Sequence, residues 1–187
     1  MKFVSFIFFC LLSVTCGADV LTYQQLAKLT QASDSLTGEF EQDKYLALLD
    51  ASLKSTGRFS YLRNQQINWL TESPVQNELV ITPERLVNRQ QGQELMSLDL
   101  ASNPAGVVLG DILFAVLTAE WPKLKALFRL QGKVQGTDWQ AVLEPSDPAI
   151  AQVMSKVELS GDHLLRQIVL NEVSGDRTTI RFLNLQP

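Results

Sequence analysis

The chain has 187 residues, of which 45% are apolar and 19% are charged, with 16 Lys and Arg against 20 Asp and Glu. This composition is that of an ordinary globular domain and excludes a disordered or collagen-like chain. The net charge of −4 provides no broad positive surface for phosphates, so the composition argues against a nucleic-acid-binding protein.

The first eighteen residues have the pattern of a secretory signal peptide. Met1-Lys2 precedes an apolar run over residues 3–14, and small residues follow up to Ala18. Cleavage after Ala18 would remove both cysteines, so stability would depend on the core and not on a disulfide. Lipid attachment at Cys16 is an alternative, which the lack of a Leu three positions upstream disfavours. No later apolar stretch reaches the ~20 residues of a membrane span, so we expect a soluble protein in an exported compartment.

The first predicted element after Ala18 is a helix from Thr22 to about Ser33. Thr22 and Gln25 have the spacing of a capping box, and apolar residues share one face of the following turns. From Gly38 onward, short segments alternate apolar and polar residues, which is typical of antiparallel strands. A sheet of seven or more such strands would curl, so the sequence predicts a mainly β (α+β) fold with one curved antiparallel sheet.

A central apolar segment interrupts the sheet pattern. Asn103-Pro104 has the pattern of a helix cap, and the helix after it is apolar on nearly all sides, so we expect it to cover the concave face of the sheet. Shorter helices are predicted from Lys123 to about Phe128 and after Pro145-Ser146-Asp147-Pro148. We find no linker or repeat and expect one domain over residues 19–187. The covering residues of the central helix are Leu109, Ile112, Leu113 and Val116.

The apolar strands outnumber the helices that could cover them. An antiparallel sheet can be apolar on both faces only if both faces are covered, by protein or by a ligand. We therefore expect a hollow on the concave face that the protein shares with a guest. The alternative interpretation is that the same residues form an ordinary core. The predicted lining consists of Phe59, Tyr61, Ile67, Trp69, Met96 and Leu98.

Motifs for catalysis and for metal or cofactor binding are missing from the sequence. It contains no Gly-x-Ser-x-Gly, no phosphate-binding Gly-rich loop and no cysteine after residue 18. The single histidine, His163, is predicted to lie in a solvated turn, and Glu39 and Glu41 on a solvated strand face. We therefore expect no catalytic residues, no metal site and no cofactor, and an enzyme is the least favoured class.

Seven short segments follow one another along the chain in a characteristic order. In order and spacing they resemble the LolA family, the periplasmic carriers of outer-membrane lipoproteins, over nearly the whole chain after the signal peptide. Two features depart from the family pattern: Asn64 stands where Pro is common, and residues 82–95 lack the usual aromatic-rich strand pair. The segments are Gly38-Glu39-Phe40-Glu41-Gln42, Gly57-Arg58-Phe59-Ser60-Tyr61, Ile67-Asn68-Trp69, Trp139 to Pro145, Leu165-Arg166-Gln167-Ile168, Gly175-Asp176-Arg177-Thr178 and Phe182-x-Asn184.

The resemblance implies an unclosed half-barrel whose hydrophobic hollow is capped by helices. It implies a carrier that shields the acyl chains of lipoproteins, receives them from an inner-membrane transporter and passes them to an outer-membrane acceptor. Arg63 matches an arginine that, in the family, holds the helical lid through hydrogen bonds to backbone carbonyls. We expect a monomer. Two alternatives stay open: a carrier for another acylated lipid, such as a glycolipid or polyene lipid, and a lipoprotein-sensing regulatory domain of the same fold.

Overall fold

The computed structural model describes residues 19–30, 33–99, 115–116 and 120–187. In these residues twelve strands form one antiparallel sheet, accompanied by three short α-helices and a 3₁₀ turn at Ala47–Leu49. The predicted signal peptide lies outside the described residues. The strands are β1 (Asp19–Val20), β2 (Ser35–Leu46), β3 (Ala51–Leu62), β4 (Gln66–Ser73), β5 (Asn77–Ile81), β6 (Arg85–Gln90), β7 (Gln93–Asp99), β8 (Phe128–Gln135), β9 (Asp138–Pro145), β10 (Met154–Gly161), β11 (Leu165–Glu172) and β12 (Arg177–Gln186); the helices are α1 (Tyr23–Leu29), α2 (Trp121–Leu127) and α3 (Pro148–Ala151).

The order of the strands confirms the predicted half-barrel. It runs β1-β8-β9-β10-β11-β12-β2-β3-β4-β5-β6-β7, and β1 and β7 stand at opposite edges without pairing. The sheet is therefore curved but unclosed. Strand β2 lies at its middle, between β3, which it joins through a hairpin, and β12 from the other end of the chain.

One face of the sheet carries the hydrophobic core. Burial alternates along β3, where Gly57, Phe59 and Tyr61 are buried, and along β9, where Trp139, Ala141 and Leu143 are buried. The period of 2 that the sequence showed is thus confirmed, and the intervening residues face outward. Glu39 and Glu41 are exposed on the outward face, as predicted.

Helix α1 begins as predicted and ends earlier. The Gln25 N–H donates to Thr22 Oγ1 at 3.2 Å, and the Thr22 N–H donates to Gln25 Oε1 at 2.8 Å, which confirms the capping box. The predicted end at about Ser33 is wrong, because Thr30 is already extended and its hydroxyl donates back to the Leu26 carbonyl at 2.7 Å. That bond satisfies a carbonyl at the helix end.

Helices α2 and α3 each contain a proline in the first turn. Helix α2 begins at Trp121 and not at the predicted Lys123, because Pro122 lies in the first turn, where its missing N–H costs nothing. Before α3, the Asp147 carboxylate accepts hydrogen bonds from the Ala149 and Ile150 N–H groups. The central helix falls mostly outside the described residues; of it, residues 115–116 are described as helical and buried. No helix in the described part of the chain is both long and apolar enough to cross a membrane.

Candidate functional site

An aromatic cluster occupies the middle of the concave face. Phe40 on β2 and Trp69 on β4 stack with ring centroids 3.9 Å apart, and Phe59 on β3 lies 5.9 Å from Trp69. Phe182 on β12 meets Phe59 edge-on at 5.3 Å. These four rings join the two halves of the sheet at its centre.

Two glycines make room for this cluster. A Cβ on Gly57 would lie 1.9 Å from the Leu70 carbonyl oxygen and 2.9 Å from the Phe40 ring. A Cβ on Gly38 would lie 3.0 Å from the Phe59 ring. Side chains at either position would displace aromatic rings, so both glycines belong to the architecture of the concave face.

A cavity of about 380 Å³ opens beside the aromatic cluster. Its volume lies within the range of roughly 300–1,000 Å³ that ligand sites occupy. One wall comes from β4 and β5, the other from β10 to β12, and β2 supplies the floor. The lining residues are Trp69, Leu79, Ile81, Val153, Met154, Leu170, Ile180, Gln42, Lys44, Glu172 and Thr178.

The polarity of the concave face changes along β2 and β12. Phe40 pairs with Phe182, the next inward position places Gln42 opposite Ile180, and the one after it places Lys44 opposite Thr178. The face therefore passes from aromatic through mixed to polar residues over about 13 Å, the length of four strand residues. At the polar end, Lys44 Nζ lies 3.7 Å from Glu172 Oε1.

The structure brings most of the predicted lining residues to one face. Phe59, Tyr61 and Ile67 are buried there, and Trp69 lines the cavity itself. Leu98 packs against the core from β7, whereas Met96 on the same strand is 42% exposed near the open edge. Of the predicted lid residues, Val116 is buried, and Leu109, Ile112 and Leu113 lie outside the described residues.

The far wall of the cavity was not predicted from the sequence. Met154, Leu170, Ile180 and Thr178 line it, and Leu79 on β5, in the wall that contains Trp69, was not predicted either. Their alternation within strands was visible in the sequence. The far-wall residues lie near Trp69 because β12 pairs with β2. The alternation within each strand does not indicate which strands pair.

Arg63 contacts the chain that leaves α1. Its Nη2 donates to the Ser33 carbonyl at 3.0 Å, and its Nε lies 3.0 Å from Asp34 Oδ1. Beside it, burial raises the pKa of Tyr61 above its usual 10.0, opposed by the positive charge of Arg63. The arginine thus fixes the end of β3 to residues 33–34. Its predicted role as a lid latch remains a prediction.

The metal-binding residue types do not cluster in the described part of the chain. No cluster of three or more His, Cys, Asp or Glu that could hold a metal is present there. His163 is exposed in the turn between β10 and β11, as predicted. Burial would raise the pKa of the neighbouring Asp162, but hydrogen bonds from the Leu164 N–H and from Arg166 hold it below 3.8. This carboxylate stabilises the turn.

Comparisons with known proteins agree with the fold. Residues 31–187 match the sequence model of the family described as outer membrane lipoprotein carrier protein LolA. No curated protein matches the sequence.

Solved structures that are similar to the chain share little sequence identity with it, as two examples show. The LolA superfamily protein NE2245 from Nitrosomonas europaea is 11% identical, with a TM-score of 0.49 over 89% of this chain and 93% of that one. A chain in the MucA/MucB complex of Pseudomonas aeruginosa is 17% identical, with a TM-score of 0.49 over 88% of this chain. The match spans 56% of that second chain, about half of its length.

Proposed function

Because this chain belongs to the LolA family of outer-membrane lipoprotein carrier proteins, we propose that it shields the acyl chains of lipoproteins and carries them across the periplasm. In this proposal it receives cargo from an inner-membrane transporter and passes it to an outer-membrane acceptor. It works as a monomer and makes or breaks no covalent bond. The signal-peptide pattern before residue 19 supports export to that compartment.

The observation that carries the proposal is the apolar cavity on the concave face. Trp69, Leu79, Ile81, Leu170 and Ile180 present hydrocarbon and aromatic surface to a space of about 380 Å³. Each methylene group that leaves water for such a surface gains about 0.8 kcal/mol. An acyl chain in the cavity would therefore be kept from water during transit.

A carrier must also release its cargo. Binding has to be moderate, and a cover that closes over the empty cavity would compete with the guest for the same surface. The buried Val116 and the contacts of Arg63 with residues 33–34 support a cover on this side of the sheet. We assign Arg63 the role of holding that cover closed when the cavity is empty.

The test of the proposal is a transfer experiment. The purified protein is expected to extract an acylated lipoprotein from inner membranes and deliver it to membranes that contain the acceptor. Native mass spectrometry of protein from bacteria is expected to show a lipid-bearing adduct that organic solvent removes. Failure to extract would contradict the proposal. Extraction without release would indicate a lipoprotein sensor. An adduct whose mass is that of a lipid with no attached polypeptide would indicate a carrier for another acylated lipid.

A further inference from the structure

We propose that the polar end of the cavity binds the carbonyl group through which an acyl chain is attached, so that the guest lies with its linkage at Thr178 and its tail toward Trp69. This inference rests on the proposed function and specifies its ligand: an ester- or amide-linked acyl chain, as opposed to a hydrocarbon that lacks a carbonyl group.

Thr178 is the first observation. It lines the cavity on β12 and is only 8% exposed, one of two polar residues that are buried among the described residues. Its hydroxyl forms no hydrogen bond with another residue of the described ranges. The hydroxyl is not one of the fully buried polar atoms that lack a partner in the described residues, so it reaches the open space of the cavity. A guest that fills this space displaces water from the hydroxyl and is favoured if it supplies another hydrogen-bond partner.

The second observation is the row of donors around Thr178. Lys44 is directly opposite it on β2, and Gln42 is the next inward residue along that strand. A hydroxyl, an amide and an ammonium group all donate hydrogen bonds, and carbonyl oxygen is their natural acceptor. Lys44 Nζ lies 3.7 Å from Glu172 Oε1, beyond ordinary hydrogen-bond length, so the ammonium keeps donors for a guest.

Charge narrows the class of ligand further. Glu172 lines the same end of the cavity and offsets the positive charge of Lys44. A phosphate group at this end would be attracted by Lys44 and repelled by the Glu172 carboxylate beside it. This repulsion disfavours binding of a phosphate group. A neutral ester or amide carbonyl meets no such repulsion.

The direction of the guest follows from the opposite end. Trp69, Ile81 and Leu79 form an apolar wall there. When the acyl tail lies against this wall, its hydrocarbon contacts apolar side chains and the carbonyl group lies at Thr178. In the reverse orientation the carbonyl would lie without partners in the apolar part and the hydroxyl would stay unsatisfied.

The experiment compares two lipids that differ in a single carbonyl. Monolauroylglycerol and its dodecyl ether analogue, which carry no phosphate, are titrated into the purified protein below the concentrations at which they aggregate, with heat of binding as the readout. We expect the ester to bind about two- to tenfold more tightly, the factor that one neutral hydrogen bond supplies. In Thr178→Val, which keeps the side-chain shape, the ester should lose this advantage while binding of the ether stays unchanged.

Thr179→Val is the matched control, because Thr179 is the next residue of β12 and lies on the opposite face, paired with Asp43. It should keep the preference for the ester. Equal binding of the two lipids by the unmodified protein would overturn the inference and leave the proposed function standing. Binding of neither lipid would overturn both. If Thr178→Val does not fold, Gln42→Leu tests the same donor row, and the comparison in the unmodified protein needs no variant.

Discussion

Phe40 and Trp69 stack face to face across an intervening strand, with ring centroids 3.9 Å apart and planes inclined by 26°. Phe40 lies on β2 and Trp69 on β4, and the β3 residue opposite Phe40 is Gly57. The Phe40 ring passes over Gly57 because no side chain stands there. The contact makes the concave face continuous beside the cavity.

Gly57→Ala should therefore destabilise the protein. The new Cβ would lie 1.9 Å from the Leu70 carbonyl oxygen, so backbone as well as the Phe40 ring must move. We expect a loss of about 2–3 kcal/mol in the free energy of unfolding, measured by urea denaturation. Gly136→Ala is the control: nothing lies near its Cβ, and its φ of 65° alone should cost about 1 kcal/mol. Equal losses would contradict the steric argument.

Trp69→Glu should abolish lipid binding without unfolding the protein. The carboxylate would stand in the apolar part of the cavity, where an acyl chain cannot solvate it. Native mass spectrometry should show no lipid adduct, while circular dichroism stays that of a β protein. Val169→Glu, on the outward face of β11, should keep the adduct. Unfolding of Trp69→Glu would show that Trp69 is a core residue only.

Arg63→Leu should slow the release of cargo. Loss of the hydrogen bond to Ser33 and of the ion pair with Asp34 would weaken the closed form by about 1 kcal/mol, roughly a fivefold shift toward the open form. The fraction of cargo delivered to acceptor membranes should fall, whereas extraction should not. Arg58→Leu removes an arginine that pairs with Glu72 on the exposed face and should leave delivery unchanged. Equal delivery by the two variants would refute the assigned role of Arg63.

Tyr23→Phe should change the response of stability to alkali. The Tyr23 hydroxyl donates to the Phe128 carbonyl at 3.0 Å, and burial raises its pKa from 10.0 to about 12. A raised pKa means that this residue stabilises the fold fully below pH 10 and that the contribution is lost as the pH rises toward 12. The variant should be about 1 kcal/mol less stable below that window, and the difference should shrink within it. A difference in unfolding free energy that does not depend on pH would count against this explanation.

The sequence was sufficient for the local elements and insufficient for their long-range pairing. The capping box of Thr22 and Gln25 and the alternation of Phe59 with Tyr61 concern neighbouring residues, and both predictions are confirmed. The family resemblance added the unclosed half-barrel, and residues 31–187 match the family.

Two features depend on residues that are far apart in sequence. Thr178 reaches the cavity because β12 pairs with β2, and Thr178 lies opposite Lys44 in a register that no local pattern encodes. Helix α1 ends early because the Thr30 hydroxyl, besides donating to Leu26, accepts a hydrogen bond from Trp121 Nε1 at 2.8 Å. Such a tertiary contact overrides the helical periodicity that extended to Ser33.

The pairing of β12 with β2 also has a consequence for the synthesis of the protein. The ribosome synthesises β2 to β7 well before β12. Phe59 and Trp69 therefore cannot pack against Phe182 until the last strand has emerged. Pairings between distant segments form slowly, and apolar strands that wait for them tend to aggregate. Until its final strand arrives, the nascent chain therefore exposes the apolar side of β2 to β4.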